Sequence, residues 1–270
     1  MINSWAHLID LNTEYTHLNL NQNLDYTKYF MYSMIANSTA IEGSTLTENE
    51  AQLLFDEGLA IGNKPIAYYD MNRDLLKAYQ FTQIQAQKKV YFSSELLCKI
   101  NGIIMKTTGS FHDNLGLTWD ASKGEFRKCA VSSGIGGKTY LDYIKVPDAV
   151  KNFCSIINEI MLKQLSQKDI YTLSFNSHYN LVNIHPWVDG NGRTARLIMN
   201  YIQMLFNIPL TKVFAEDRAK YIEALQISTK NESSEVFIDF MKNQHIKTIQ
   251  QEIREHIIAQ KKNKGFSLIF

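Results

Sequence analysis

The sequence contains little cysteine and little proline, and neither sign of charge is in clear excess. Its three cysteines (Cys98, Cys129 and Cys154) are an odd number without paired spacing, which disfavours a disulfide framework and a zinc site and favours a reducing compartment. The formal net charge is +1, so no global field predicts a nucleic-acid partner or an anionic membrane.

Long hydrophobic runs are also missing. No stretch approaches the roughly 20 apolar residues of a membrane-spanning helix. The segment 1–20 includes Asp10 and Glu14 and lacks the apolar run of a signal peptide. We therefore expect a cytoplasmic protein that makes no contact with a membrane.

The scarcity of proline predicts a mainly α-helical protein. Only four prolines occur in 270 residues, and the 45% of hydrophobic residues can build a sizeable core. Residues 107–146 are the exception, because repeated glycines interrupt any helix there. Two β-prone runs in this region, 125–132 and 138–146, predict a small hairpin. Helices are predicted at about 26–40, 48–58, 69–87, 94–106, 147–165, 168–183 and 235–261.

The most informative segment is residues 185–196, which read His-Pro-Trp-Val-Asp-Gly-Asn-Gly-Arg-Thr-Ala-Arg. His185 is a candidate general base, because an unperturbed imidazole titrates near neutral pH. Asp189 supplies a hard oxygen ligand that suits Mg²⁺ bound jointly with substrate phosphates. This segment therefore predicts phosphate chemistry.

The second half of the segment predicts an anion site at a helix N-terminus. Gly190 and Gly192 let the backbone approach a ligand closely, and the helical spacing of apolar residues begins just after them. Free N–H groups and the helix dipole favour an anion at such a position. Arg193 and Arg196 share a helix face and can each bind a phosphate. The simplest ligand with these properties is a nucleotide polyphosphate with Mg²⁺.

This segment resembles the Fic family motif, His-Pro-Phe-x-Asp-Gly-Asn-Gly-Arg-x-x-Arg, with Trp187 in place of the usual Phe. His178, seven residues upstream, and the helix-ending run Asn207-Ile208-Pro209 extend the resemblance. The family implies the Fic fold, a helical bundle with a small β-hairpin flap. It also implies transfer of AMP from ATP to a Ser, Thr or Tyr hydroxyl of a target protein.

The resemblance implies a role for each polar residue of the motif. His185 would deprotonate the acceptor hydroxyl, and Asp189 would hold Mg²⁺ between the α- and β-phosphates. Arg193 would bind the β-phosphate and Arg196 the γ-phosphate. Charge on the α- and β-phosphates would be stabilised by the Asn191 side chain and by the backbone amides of Gly190, Asn191 and Gly192.

A second segment resembles the inhibitory helix of Fic proteins, Ser/Thr-x-x-x-Glu-Gly/Asn. Ser38 and Glu42 are four residues apart and so lie on one helix face, and Gly43 is well placed to cap that helix. Because the segment precedes the motif, the resemblance implies the family's second class. Glu42 would pair with Arg196 and occupy the position in which the arginine would otherwise bind the γ-phosphate.

The resemblance also divides the chain and implies a partner site. We predict an N-terminal helical region at 1–92 with the inhibitory helix at about 26–43, a Fic catalytic core at 93–240 and a C-terminal helical extension at 241–270. The predicted hairpin at about 125–146, here called the flap, would hold the target's acceptor segment by strand addition. Residues 136–140 become candidates for target docking and nucleotide contact, and Arg127 for orienting the flap.

Contacts with the nucleotide base and the assembly state follow only from the resemblance. Tyr221 and Asn231 match family positions near the adenine, although a tyrosine on an amphipathic helix is more often part of a core. A homodimer is expected because Fic proteins of this class often dimerise.

The sequence leaves several functions open. Some Fic proteins with an inhibitory glutamate remove AMP, which makes a de-AMPylating or bifunctional enzyme the main alternative. A non-catalytic nucleotide-binding or interaction module is a third possibility, against which the intact motif argues. Transfer of UMP or phosphocholine also remains open, because the motif holds phosphates and not a base. Phosphate transfer is disfavoured, since kinase-type relatives carry Lys where Gly192 stands.

Overall fold

The computed structural model describes residues 4–20, 24–132 and 138–264. Within these ranges the chain forms ten α-helices and one pair of strands. The helices are α1 (Trp5–His17), α2 (Leu24–Ile41), α3 (Glu48–Glu57), α4 (Ile66–Gln87), α5 (Ser94–Ile104), α6 (Val146–Met161), α7 (Gln167–Ile184), α8 (Asn191–Leu205), α9 (Arg218–Lys230) and α10 (Glu235–Lys264). The strands are β1 (Phe111–Asn114) and β2 (Leu117–Asp120). The predicted mainly α class with one small hairpin is thus confirmed.

Local capping signals place several helix ends where the sequence predicts them. Helix α3 begins after Thr47, whose hydroxyl accepts from the backbone of Glu50 while the Glu50 carboxylate accepts from the backbone of Thr47, and it ends at Gly58 with φ of 72°. Two long helices differ from prediction. Helix α4 begins three residues before Tyr69, and α6 ends four residues before Leu165.

Helices α7 and α8 form the centre of the bundle. Almost every residue of α8 is buried, so neighbouring elements cover it on all sides. Helices α4 and α5 pack on α8 within the main hydrophobic cluster, in which α6 packs on α7 and α5. Helices α1, α9 and α10 pack on α7 through a second cluster. The segment 185–190 is the connection between α7 and α8, so the bundle core fixes both ends of the motif.

The strands lie outside the predicted runs. Strands β1 and β2 pair antiparallel at 111–120, with Phe111 opposite Asp120. Their two-residue turn is formed by Leu115 and Gly116, both at positive φ (52° and 83°), which is the backbone that joins twisted antiparallel strands.

The prediction of strands at 125–132 and 138–146 is therefore wrong for the residues that the structure describes there. They show one isolated bridge, between Ser132 and Thr139. The carbonyls of Cys129 and Leu141 accept from the guanidinium of Arg127, so a side chain satisfies polar groups that a ladder would otherwise pair. Residues 136 and 137 of the predicted docking segment lie outside the described residues.

Helix α2 is fixed along its length by the segment 211–218. Lys212 Nζ lies 2.9 Å from Ser33 Oγ, Asn37 accepts from the backbone N–H of Ala215 at 3.0 Å, and Arg218 Nε donates to the carbonyl of Ile41 at 2.7 Å. Lys212 is itself buried, 3.8 Å from the carboxylate of Glu252 on α10. These contacts determine where the C-terminal end of α2 lies.

No helix among residues 4–20, 24–132 and 138–264 has the length and apolar character needed to cross a membrane.

Candidate active site

The connection between α7 and α8 has a defined shape that Asn191 stabilises. His185 ends α7 in the left-handed conformation, with φ of 52°, and Gly190 precedes α8 with φ of 79°. Between them the Asn191 amide donates to the carbonyl of Trp187 at 2.8 Å, and its oxygen accepts from the Trp187 N–H at 3.1 Å. Both ends of this side chain thus hold the loop itself.

Trp187 is the apolar anchor of the loop. It is 1% exposed, and its Nε1 donates to the carbonyl of Gly124 at 2.9 Å. Gly124 has φ of 72°, and a Cβ there would collide with the carbonyl of Cys98 on α5. The indole therefore connects the motif to a tight backbone crossing that only glycine permits.

Gly190 allows a close approach of the loop to α5. A Cβ at this position would lie 2.8 Å from the Asn101 amide nitrogen and 2.8 Å from Met105 Sδ. The same amide nitrogen donates to Thr194 Oγ1 at 3.1 Å. Asn101 is fully buried, and the sequence gives no sign of its role, because a single Asn within a helical run carries no motif signal.

His185 has the protonation state of a base. Its Nδ1 lies 3.3 Å from the carbonyl of Val182, and because a carbonyl only accepts, Nδ1 carries the proton and Nε2 keeps its lone pair. Burial lowers the pKa of His185 to about 4, with smaller effects of the Val182 carbonyl and of nearby charges. The imidazole is consequently neutral at pH 7.

Arg196 and the end of α2 form a buried polar contact. Arg196 Nη2 donates to Glu42 Oε1 at 2.6 Å and to the Ser38 carbonyl at 2.9 Å, and Nε donates to Ser38 Oγ at 2.8 Å. Arg196 is 5% exposed, whereas the Glu42 side chain keeps 32% of its surface in solvent. Ser38 and Glu42 thus engage two of the three guanidinium nitrogens.

The carboxylate of Glu42 also lies at the N-terminus of α8. A Cβ on Gly192 would collide with Glu42 Oε1, so the carboxylate lies directly against the first turn of that helix. Glu42 itself lies where α2 ends, ahead of Gly43 with φ of 101°. A helix C-terminus disfavours a negative charge, whereas the α8 N-terminus and Arg196 favour one. An anion is thus bound at the place predicted for phosphates.

Arg193 and Asp189 are next to each other but differ in exposure. The side chain of Arg193 is 1% exposed, whereas that of Asp189 is 64% exposed, and their nearest charged atoms are 3.3 Å apart. Arg193 Nη2 also contacts Met105 Sδ at 3.2 Å, and its Nε and Nη1 have no hydrogen-bond partner within the described residues. A buried guanidinium with spare donors suits an anionic ligand.

Comparison with known proteins identifies the family of this site. A model of the Fic/DOC family matches residues 91–203. Residues 91–203 thus resemble the Fic/DOC family. The matched range contains the motif and α5, and it ends before Tyr221 and Asn231.

Curated relatives of the chain are Fic proteins from animals. The protein adenylyltransferase Fic of Nematostella vectensis is 29% identical over 201 residues, which are 73% of this chain and 42% of that protein. The protein adenylyltransferase fic-1 of Caenorhabditis briggsae is 25% identical over 223 residues, 81% of this chain and 41% of that protein. The chain thus spans about two fifths of the length of these relatives.

Solved Fic structures share the fold. A fragment of Fic-1 from C. elegans superposes with a TM-score of 0.76 at 22% identity, covering 93% of this chain and 71% of that one. A Fic-domain signalling protein of Bacteroides thetaiotaomicron superposes with a TM-score of 0.75 at 21% identity, covering 92% and 97%. The similarity therefore extends beyond the matched Fic range to nearly the whole bundle.

The two Fic residues predicted near the adenine occupy different surroundings. Tyr221 is 3% exposed, with its hydroxyl 3.4 Å from Arg196 Nη1 and 3.1 Å from His178 Nε2. Burial raises the pKa of Tyr221 to about 12. Asn231 is exposed at the end of α9, two residues after Thr229, whose hydroxyl lies 3.2 Å from Asn183 Oδ1. Tyr221 therefore supports Arg196 from within the core.

Arg127 connects the flap to the Fic motif, a role that the sequence alone does not specify. Its Nε donates to the carbonyl of His185 at 2.8 Å, its backbone N–H donates to Pro186 at 3.1 Å, and its Nη groups donate to Cys129 and Leu141. The side chain is 1% exposed. One arginine therefore fixes the two arms of the flap relative to the candidate base.

Proposed function

We propose that this chain transfers AMP from ATP to a hydroxyl of a protein, and that Glu42 limits the reaction. One observation carries the proposal: the Glu42 carboxylate lies on Arg196 and against Gly192, the anion site of a Fic motif whose His185 keeps a free Nε2. The names of the curated relatives, protein adenylyltransferases, support the same reaction.

The bonds of the proposed reaction follow from these residues. The acceptor oxygen attacks the α-phosphorus, the bond from that phosphorus to the β-phosphate oxygen breaks, and pyrophosphate leaves. His185 Nε2 takes the proton of the hydroxyl. The first-turn amides of α8, with Arg193 and Arg196, stabilise the phosphate charge without rearranging during the reaction.

Asp189 suits Mg²⁺ bound together with the nucleotide. Its carboxylate is mostly exposed beside the phosphate site, and Mg²⁺ is commonly held by one or two carboxylates plus substrate phosphates. No group of three or more His, Cys, Asp or Glu that could hold a metal occurs in the described parts of the chain. When bound, it would neutralise charge on the leaving pyrophosphate.

Inhibition by Glu42 is a competition for one arginine. A γ-phosphate on Arg196 needs the guanidinium donors that Ser38 and Glu42 now accept. Two anions at one helix N-terminus also repel each other. ATP bound beside Glu42 would therefore lie displaced from the position in which its α-phosphate faces the acceptor.

We expect Glu42→Gly to raise the incorporation of AMP by roughly ten-fold or more, because a hydrogen bond between charged groups commonly contributes at least about 1.4 kcal/mol. The assay is labelled ATP with Mg²⁺, first with the protein alone and then with a cell lysate. Glu57→Gly is the matched control, since Glu57 also stands before a glycine at a helix end, whereas the side chains that contact Arg196 are those of Ser38, Glu42 and Tyr221.

Two results would contradict this proposal. Equal incorporation by Glu42→Gly and Glu57→Gly would refute inhibition by Glu42. Persistent incorporation by the double variant His185→Ala, Glu42→Gly would refute His185 as the base. Mass spectrometry with ATP, UTP and GTP in parallel identifies the donor from the mass added.

Removal of AMP is a second candidate, favoured by the partial exposure of the Glu42 side chain. A carboxylate that is open to solvent at the phosphate site can orient a water molecule toward the α-phosphorus. For this activity we expect the unaltered chain to release AMP from a purified modified target. The Glu42→Gly variant should not release it.

The remaining expectations stay predictions. A target segment bound at the flap, 125–146, agrees with the position of Tyr140 against His185. A homodimer, the domain limits and a cytoplasmic location rest on the resemblance and on composition.

A further inference from the structure

Tyr140 lies flat against the candidate base. The ring centroids of Tyr140 and His185 are 3.8 Å apart, and the two planes meet at 18°. Tyr140 comes from the second arm of the flap, where its backbone N–H donates to Val131 at 3.1 Å. Because this side chain is 45 residues from His185 in the sequence, only the tertiary structure reveals the pair.

The stack restricts a motion that the hydrogen bond of His185 leaves open. The Nδ1 contact with Val182 at 3.3 Å fixes one edge of the imidazole, but the ring can still tilt about that edge. A second ring at van der Waals distance restricts the tilt, because offset stacked rings favour parallel planes. With both contacts in place, the direction of the Nε2 lone pair is defined.

Charged groups surround the same imidazole without contacting its face. Arg127 binds the His185 carbonyl, and Lys138 is held near the ring by Asn183 at 2.5 Å. Asp189 follows in the loop. Arg127 and Lys138 act to lower the pKa of His185, and Asp189 acts to raise it. Among these neighbours, Tyr140 is the one that covers the ring.

We propose that Tyr140 is a positioning residue of the transfer reaction, holding the His185 imidazole so that Nε2 faces the acceptor hydroxyl. The inference rests on the proposed function in one respect, the role of His185 as base. It assigns the role to the aromatic ring of Tyr140 and gives none to the hydroxyl, so phenylalanine should substitute.

The kinetic test uses the Glu42→Gly chain as its background. We expect Tyr140→Ala to lower kcat by roughly ten-fold or more, because small misplacements of a reacting group have effects of that size. A role through His185 leaves the KM for ATP within about two-fold, whereas the nucleotide contact that the resemblance implies for 136–140 would raise it. Tyr140→Phe should retain kcat within about two-fold. Tyr91→Ala, a change of the same size at an exposed tyrosine outside the flap, is the matched control.

A second measurement does not depend on activity. The pKa of His185 can be followed by NMR of the seven histidines, with His185→Ala to assign the signal. In the unaltered chain and in Tyr140→Phe we expect a value near 4, as burial dictates. In Tyr140→Ala, water reaches the exposed face, so the pKa should rise toward 6.5.

These results separate the inference from the proposed function. The inference is overturned if Tyr140→Ala leaves kcat and the His185 pKa unchanged, if Tyr140→Ala raises kcat, or if Tyr140→Phe is as damaging as Tyr140→Ala. It is also overturned if Tyr140→Ala changes mainly the KM for ATP. If the Glu42→Gly background transfers nothing to any protein, the proposed function fails, and the NMR titration still decides whether Tyr140 holds the ring.

Discussion

At the scale of single residues, some polar side chains of the motif stabilise the protein structure, and others remain available for a ligand. Asn191 uses both ends of its amide on the Trp187 backbone, and Tyr221 lies under Arg196 in the core. A polar residue in a functional motif can therefore act by shaping the loop. His185 and Asp189, by contrast, keep an unshared nitrogen and an exposed carboxylate.

Trp187 provides a residue-scale prediction. We expect Trp187→Phe to lower the free energy of unfolding by about 1–2 kcal/mol, because the Gly124 carbonyl loses its indole donor and a small void remains. Trp187→Ala should lower it by about 3–5 kcal/mol. Urea unfolding followed by circular dichroism measures both. Equal losses for the two variants would show that the aromatic ring contributes no packing.

At the scale of elements, the flap is held by a side chain and not by strand pairing. Arg127 donates to carbonyls of both arms and to the end of α7. Cross-strand hydrogen bonds among the described flap residues are confined to the region of Ser132 and Thr139. The position of Tyr140 over His185 is accordingly tied to this one guanidinium.

Arg127→Lys should therefore loosen the flap. A lysine ammonium cannot donate to all three carbonyls that the planar guanidinium of Arg127 binds, because those carbonyls lie in different directions around it. Buried acceptors left unpaired should lower the free energy of unfolding by about 3 kcal/mol, with faster amide exchange at residues 129–132 and 138–141. Arg73→Lys, at an arginine whose side chain is 39% exposed, is the matched control. A loss no larger than that of the control would contradict the structural role.

At the scale of the whole molecule, buried neutral histidines make stability depend on pH. Burial lowers the pKa of His185 to about 4 and of His245 to about 3. It also lowers the pKa of His178 well below 6.5, with the charge of Arg196 as a second cause. In the unfolded chain all three titrate near 6.5.

The direction of the change in stability with pH follows from proton binding. Below pH 6.5 the unfolded chain takes up protons that the folded chain does not, so unfolding is favoured as the pH falls toward 4. The slope reaches at most about 4 kcal/mol per pH unit, since each of three protons contributes about 1.4. Above pH 7 these three histidines do not change the free energy of unfolding with pH.

Urea midpoints between pH 8 and pH 4 test this dependence. We expect a plateau above pH 7 and a steady fall below about 6.5. The exposed His17 on α1 provides a control, because His17→Asn should leave the curve unchanged. A midpoint that stays constant from pH 7 to pH 5 would contradict the burial of these rings as neutral groups.

Local signals predicted much of the helical framework. Capping residues such as Thr47 and Gly58 act on backbone groups within a few residues, so they can be read from the chain. The hairpin was predicted in the wrong place, because a β-prone composition does not show which donors the backbone carbonyls will bind. In the flap the Arg127 side chain donates to backbone carbonyls, whereas Leu115 and Gly116 form the turn that joins the two observed strands.

The sequence by itself determined which chemical groups the motif offers, because His185, Asp189, the glycines and the arginines are adjacent in the chain and their groups act over a few ångströms. The tertiary structure decided which groups these residues meet. Glu42 reaches Arg196 across 154 residues, and Tyr140 covers His185. Such contacts depend on how α2 and the flap pack against α8, which burial and long-range hydrogen bonding determine, and no local pattern encodes them.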